Sequence, residues 1–133
     1  MPASPSDSSR SKASISRSEH AVMDVLWAEP GLAATDVHAR LSDTGWSPQT
    51  VKTLLSRLVG KHALRAERDG RRFRYHPLIA RDAYAASAAK SLARRLFGGR
   101  AAPLVAHLAE GDGLTDADIE ELEALIEKMK NER

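Results

Sequence analysis

"WSPQTVKTLLSRLV", residues 46–59, combines a helix-start signal with two chemically different faces. Ser47 is a favourable N-cap, and Pro48 fits the first helical position, where a missing N–H costs nothing. At about 100° per residue, the apolar side chains fall within an arc of roughly 140°. These side chains are Val51, Leu54, Leu55, Leu58 and Val59. The pattern predicts an amphipathic helix that begins at Pro48.

The opposite face of this helix is polar but not acidic. Its outward residues are Gln49, Thr53, Ser56 and Arg57, with Thr50 and Lys52 on the flanks. No acidic residue occurs from position 44 to position 66. Amide, hydroxyl and cationic groups suit phosphates and base edges in the major groove, whereas the DNA backbone repels carboxylates. The face therefore favours contact with nucleic acid.

The segment "LRAERDGRRFRYHP", residues 64–77, predicts a β-hairpin, because Asp69-Gly70 is a strong type I′ turn signal between alternating runs. A two-residue loop at Asp69-Gly70 would place Leu64, Ala66, Phe73 and Tyr75 on one face, which we expect to be buried. The same register sets Arg65 beside Arg74. This repulsive pair gains nothing for the fold, so it points to an anionic partner. The register pairs Leu64 with Tyr75, Arg65 with Arg74, Ala66 with Phe73, Glu67 with Arg72 and Arg68 with Arg71.

Two helices precede the helix at Pro48. Ser16 and Glu19 form a capping box for a helix over 17–28, and Pro30-Gly31 stops it. Leu32 predicts a very short strand, and a second helix runs from Ala34 to near Ser42. Three helices followed by a hairpin predict a winged helix-turn-helix over residues 15–78, in which the third helix enters the major groove.

Residues 79–133 predict a three-helix domain. Helices are expected over 80–97, from Ala101 to Leu108, and after the Thr115 cap. A segment of this length cannot bury its own apolar helix faces well. Pairing with a second copy of the chain is therefore expected. The alternative is that these helices pack back onto the winged helix of the same chain. The predicted dimerisation residues are Tyr84, Leu92, Leu96, Leu104, Leu108, Ile119, Leu122, Ile126 and Met129.

Composition limits the functional classes. The net charge of +2 divides unequally, with +4 in residues 1–78 and −2 in residues 79–133, so the basic half is expected to meet a polyanion. The absence of cysteine excludes disulfides and thiolate chemistry, and the five scattered histidines predict no metal site. No catalytic motif or cofactor loop is present, so we expect neither an enzyme nor a cofactor.

No apolar run suits a membrane span or signal peptide, which predicts a cytoplasmic protein without direct membrane association. The Ser/Pro-rich residues 1–14 predict a disordered tail.

Five stretches, in this order, resemble the penicillinase-repressor family of bacterial transcription regulators, to which the BlaI, MecI and CopY proteins belong. The resemblance covers about residues 15–130 and implies a homodimeric repressor on a dyad-symmetric operator, often partnered by a membrane sensor-peptidase. Gln49 stands where many relatives have Lys, which implies a different base preference. The absent cysteines remove the thiolate ligands of the copper-sensing branch. His107-Leu108 stands at the positions of the Asn-Phe pair at which β-lactam-responsive members are cut. Relief of repression through the C-terminal half is expected, by cleavage at His107-Leu108, by cleavage at a shifted site or by a non-proteolytic signal. The five stretches are ISRSEHAVMDVLW, WSPQTVKTLLSRLV, ALRAERDGRRFRYHPL, AAKSLARRLFGG and LTDADIEELEALI.

The resulting hypothesis is a DNA-binding repressor. Two rivals remain: a winged helix that binds protein, which would need apolar or acidic groups on the third helix, and a regulator that senses a small molecule, which would need a pocket that the sequence does not disclose. The predicted DNA-binding residues are Ser47, Gln49, Thr50, Lys52, Thr53, Ser56, Arg57, Lys61, Arg65, Arg71, Arg72 and Arg74.

Overall fold

The computed structural model describes residues 15–133, and the predicted disordered tail at residues 1–14 lies outside this range. It confirms the predicted fold class, a helix-rich chain with a small β wing. Every predicted helix is present, with ends within a residue or two of those expected. In chain order the elements are α1 (Arg17–Ala28), β1 (Leu32–Ala33), α2 (Ala34–Arg40), a 3₁₀ turn (Ser42–Thr44), α3 (Pro48–Gly60), β2 (Leu64–Asp69), β3 (Arg72–Pro77), α4 (Arg81–Phe97), α5 (Ala101–Leu108) and α6 (Asp116–Asn131).

The chain divides into two compact units, one ending at Ala88 and the other running from Ala89 to Arg133. Helix α4 begins in the first unit and ends in the second. The division reflects how densely the residues contact one another, and it does not test which segments fold independently. The predicted domains, residues 15–78 and 79–133, therefore stay a prediction.

The core of the first unit lies where α1, α2 and α3 meet the base of the wing. The apolar arc predicted for α3 is the part of that helix that is buried, and β2 adds one buried leucine. Each fully buried leucine of this kind contributes about 1.5–3 kcal/mol of transfer free energy. The core residues are Val22, Met23, Leu26, Val37, Leu41, Val51, Leu54, Leu55, Leu58, Ala63 and Leu64.

The sheet has the order β1-β3-β2 with antiparallel neighbours, and the predicted strand at Leu32 pairs with Tyr75. The predicted hairpin register is wrong by one loop position: Asp69 lies opposite Arg72, so the loop is Gly70-Arg71. Gly70 has a φ of +65°, whereas Arg71 does not have a positive φ. This is the pattern of a loop with glycine at its first position, while the predicted loop would also have required a positive φ at Asp69.

Two consequences correct the sequence analysis. Arg65 lies opposite His76 and Arg74 lies opposite Glu67, so the expected direct pairing of Arg65 with Arg74 is wrong. The predicted burial of Ala66 and Phe73 is also wrong, since Ala66 is exposed and Phe73 is 44% exposed. The helical core covers only the base of the hairpin, and these two residues lie beyond it.

The buried carboxylate of Glu19 ties the start of α1 to the end of α3. It completes the predicted capping box by accepting from the Ser16 N–H at 2.8 Å, and Lys61 Nζ donates to the same Oε1 at 2.6 Å. Burial alone would raise the pKa of Glu19, but the bonds from Lys61 and Ser16 outweigh it and lower the pKa below its ordinary 4.5. Glu19 is 1% exposed, so this ion pair belongs to the fold.

We expect Glu19→Gln to lower the free energy of unfolding by about 1–3 kcal/mol at neutral pH, because Lys61 would keep its charge without the carboxylate. Folding lowers the pKa of Glu19, so the unfolded chain binds the proton first. The contribution is therefore complete above pH 4.5 and is lost as the pH falls through the folded-state value. Urea unfolding of both proteins, followed by circular dichroism at falling pH, should show their difference shrinking in acid.

The matched control is Glu29→Gln, which removes an equal charge from the exposed pair of Glu29 with Arg40 at 2.7 Å. We expect a smaller loss there, because water solvates both partners. Equal losses in the two variants, or a difference that is independent of pH, would contradict the structural role of Glu19.

Candidate nucleic-acid interface

The start of α3 is fixed by short-range contacts. Ser47 Oγ accepts from the Thr50 N–H at 3.1 Å, as its predicted N-cap role requires. The His38 ring lies with Nε2 2.9 Å from the Trp46 carbonyl, which can only accept, so Nε2 donates. This bond fastens the turn before α3 to α2, so the first turn of α3 has a defined direction.

The outward face of α3 is exposed along its length. Thr53 Oγ1 donates to the Gln49 carbonyl at 3.0 Å, which leaves the oxygen lone pairs of that hydroxyl able to accept. The Gln49 amide extends from the first turn with both a donor and an acceptor group. All seven residues predicted on this helix are exposed: Ser47, Gln49, Thr50, Lys52, Thr53, Ser56 and Arg57.

The predicted cationic residues fall into two groups. Within residues 15–133, Lys52, Arg57, Arg71 and Arg72 make no side-chain hydrogen bond or ion pair. They are charged side chains whose hydrogen-bonding capacity is available to a ligand. We call these four residues the unpaired cations.

The remaining three predicted cations have partners in the same chain. Lys61 bonds to buried Glu19, and Arg65 lies 3.4 Å from Glu67. Arg74 donates to Asp69 at 2.6 Å. This hydrogen bond raises the pKa of Arg74 and lowers that of Asp69, and the opposite charges act in the same direction. These three side chains have carboxylate partners inside the chain, which the sequence does not predict.

A groove of about 350 Å³ lies between the start of α2, α3 and the wing. It brings Lys52 together with Arg71 and Arg72, although they are about 20 residues apart in sequence. The sequence does not predict that the start of α2, with Ala34 and Thr35, lines this groove, because no local residue pattern indicates which helix start faces a hairpin. Burial raises the pKa of Tyr75, which keeps its hydroxyl neutral. The groove is lined by Ala33, Ala34, Thr35, Lys52, Arg71, Arg72, Phe73 and Tyr75.

Other kinds of site receive no support in residues 15–133. No group of three His, Asp or Glu side chains in that range is placed to hold a metal ion. No helix in the same range has both the length and the apolar character needed to span a membrane.

The sequence profile of the penicillinase repressor family matches residues 15–128. The chain belongs to this family. The penicillinase repressor of Bacillus licheniformis is 35% identical over 120 residues, which cover 90% of this chain and 94% of that protein. The methicillin resistance regulatory protein MecI of Staphylococcus aureus is 27% identical over 115 residues, which cover 86% and 94%.

Among solved structures, the chain is similar to the monomeric form of Bacillus licheniformis BlaI in complex with the blaP half-operator. The two are 41% identical, with a TM-score of 0.46, and the match covers 53% of this chain and 87% of that chain. The family profile and the Bacillus licheniformis relative confirm, at the level of the family, the resemblance inferred from the sequence motifs.

We expect Arg57→Ala, Arg71→Ala and Arg72→Ala each to weaken binding to all DNA sequences alike. Each should also lower the slope of log affinity against log salt by about one, the effect of one lost phosphate contact. Gln49→Ala should instead leave the slope unchanged and cost about 1–3 kcal/mol at one base pair, because an amide contacts a base edge. Electrophoretic shift assays across salt concentrations distinguish the two effects.

Arg40→Ala is the control, because Arg40 is paired with Glu29 and lies outside the exposed face of α3. Its removal should leave the salt slope unchanged. A slope that falls equally for Arg40 and for the unpaired cations would mean that net charge, and not this surface, determines binding.

Proposed function

We propose that this chain, a DNA-binding transcriptional repressor of the penicillinase repressor family, acts in the cytoplasm as a homodimer on a dyad-symmetric operator. The observation that carries the proposal is the exposed face of α3, where polar groups and the unpaired cations Lys52 and Arg57 lie together without a carboxylate. A repressor of this kind needs no catalytic group and no cofactor.

The chemistry of α3 divides between base readout and anchoring. The Gln49 amide has the geometry to donate to and accept from an adenine edge, and the hydroxyls of Thr53 and Ser56 suit several bases. Lys52 and Arg57 on the same helix suit phosphates, which position the protein without specifying sequence.

The wing adds backbone contacts. Arg71 and Arg72 extend from the hairpin loop and its edge, where neither makes a side-chain hydrogen bond or ion pair within residues 15–133. Arg72 lies opposite Asp69, and its charge contributes to the lowered pKa of that carboxyl. Arg65 and Arg74, which the sequence also predicts to contact DNA, would each first have to leave a carboxylate, so we assign them a smaller role. Lys61 is bonded to buried Glu19, and we assign it to the fold.

The dimer proposal rests on uncovered apolar surface in the second unit. Helices α4, α5 and α6 contain no buried residue. A second copy would cover these faces with the same surface, as a twofold interface does. Tyr84 differs from the other predicted dimerisation residues, since its ring stacks within the chain against Trp27 at 5.7 Å and His20 at 5.5 Å. Six leucine, isoleucine or methionine side chains remain at least 45% exposed in the second unit: Leu96, Leu108, Ile119, Leu125, Ile126 and Met129.

We expect Ile126→Glu to separate the dimer, because it would bury a carboxylate in the apolar interface. Operator affinity should then fall by roughly 10²–10⁴-fold, since two linked half-site contacts become independent. Sedimentation equilibrium measures the first effect, and shift assays on a complete operator measure the second.

Ala124→Glu is the matched control. It adds the same charge two residues away, which is about 200° around the helix and outside the apolar face. The control should stay dimeric and bind normally. A wild-type protein that is monomeric at micromolar concentration, or an Ile126→Glu protein that binds as tightly as wild type, would refute dimeric repression.

Relief of repression is proposed to act through the second unit, with a membrane sensor-peptidase as the partner. His107 and Leu108, the predicted cleavage region, lie exposed in the last turn of α5. Gly113 returns so close to the Leu108 carbonyl that a Cβ at position 113 would collide with it. A cut at this point would detach α6 and its share of the dimer surface.

We expect a cell-wall inhibitor to convert the repressor in cells into a fragment that ends between His107 and Leu114. Gly113→Ala should speed this conversion, because the added methyl group would force the loop away from the end of α5. Immunoblots with mass spectrometry of the fragments measure both. A repressor that stays at full length while its target genes are expressed would rule out proteolysis.

A further inference from the structure

The groove between α2, α3 and the wing combines two chemical features that the fold does not require. Three of the unpaired cations, Lys52, Arg71 and Arg72, line it, and no carboxylate does. Its remaining lining is mostly apolar, with Phe73 and Tyr75 on the wing side and two alanines at the start of α2. Phe73 is 44% exposed and does not pack against the core, so its ring is accessible to a ligand.

We propose that this groove binds a small organic anion, formed by one aromatic ring with a carboxylate or phosphate group, and that this ligand competes with operator DNA. The inference rests on the proposed function, since the competition requires DNA contact by the same cations. It supplies the pocket that a small-molecule-sensing regulator needs and that the sequence does not disclose.

The volume and the lining suit such a ligand. About 350 Å³ lies at the lower end of the range of ligand sites, which is enough for a single ring with its charged group. Arginine guanidinium groups bind carboxylates and phosphates in a bidentate manner, and Lys52 adds a third cation. The rings of Phe73 and Tyr75 offer offset or edge contacts to a ligand ring.

A DNA phosphate is the other occupant to consider, and the lining distinguishes it from a ring-bearing anion. A phosphate diester needs cations and hydrogen-bond donors only, and it gains nothing from Phe73, Tyr75 or the alanines. A ligand that uses the cations and the apolar wall together accounts for both halves of the groove. Once bound, it would occupy three groups assigned to phosphates and block their contacts with DNA, and the loss of three contacts weakens DNA binding by roughly 10–100-fold at moderate salt.

The test uses the full-length protein and four probes at constant ionic strength: phenyl phosphate, benzoate, inorganic phosphate and benzyl alcohol. Isothermal titration calorimetry without DNA should show binding of the two ring-bearing anions. Inorganic phosphate lacks the ring and benzyl alcohol lacks the charge, so each should bind at least about tenfold more weakly. In shift assays, only the ring-bearing anions should release the operator.

Two variants separate ligand binding from DNA binding. Phe73→Ala removes one of the two rings of the apolar wall but no charge, so it should weaken phenyl phosphate binding about tenfold and leave operator affinity unchanged. Arg57→Ala should weaken operator binding and leave phenyl phosphate binding unchanged, because Arg57 lies on α3 but does not line the groove. Circular dichroism of each variant verifies that it is folded.

The outcomes distinguish this inference from the proposed function. Wild-type protein that binds the operator but neither ring-bearing anion overturns the inference and leaves the repressor assignment intact. Equal binding of phenyl phosphate and inorganic phosphate, unchanged by Phe73→Ala, also overturns it and assigns the groove to a DNA phosphate. Wild-type protein that binds the ring-bearing anions but not DNA would overturn the proposed function, and with it the competition, while the ligand site would stand.

Discussion

The packing of one apolar arc determines both the fold and the interface. Val51, Leu54, Leu55 and Leu58 are buried against α1 and α2, which fixes the rotation of α3 about its axis. A rotation by one residue, about 100°, would bring polar side chains into the core without hydrogen-bond partners, at a cost of roughly 1–3 kcal/mol for each group. The face with Gln49 therefore points to solvent, because burial of the apolar arc fixes the opposite side of the helix outward.

Pairing of charges separates scaffold from surface in this chain. Glu19 with Lys61 joins α1 to the end of α3, and Asp69 with Arg74 holds the wing. The first pair is buried and stabilises the fold, whereas the second is exposed and holds Arg74 against Asp69 without a ligand. The unpaired cations make no side-chain hydrogen bond or ion pair within residues 15–133, so a polyanion can replace their hydration at little cost in intramolecular bonds. The same residue type, arginine, thus has two roles in one hairpin.

The sequence predicts structural features that are set by residues close together in the chain, such as helix starts. It does not predict features that depend on exact loop geometry or on residues far apart in the chain. The caps at Ser16, Ser47 and Thr115 bond to groups three residues away, so the starts of α1, α3 and α6 are visible in the sequence. The hairpin register depended instead on which of two loop positions takes the positive φ of Gly70. Lys61 has a partner 42 residues away, and the groove needs the start of α2 to face the wing, so neither arrangement leaves a local signal.

The proposed dimer and the proposed ligand site would act on the same quantity, the affinity for a complete operator. In a dimer with one groove in each subunit, the free energies of the two half-site contacts add. A ligand that weakens each half-site about tenfold would therefore weaken the whole complex about a hundredfold, the product of the two factors. Separation of the dimer acts differently, because it removes the linkage and leaves each half-site contact unchanged. Repression would therefore respond steeply to a modest ligand effect, since a change in the binding free energy of one half-site occurs in both subunits of the dimer.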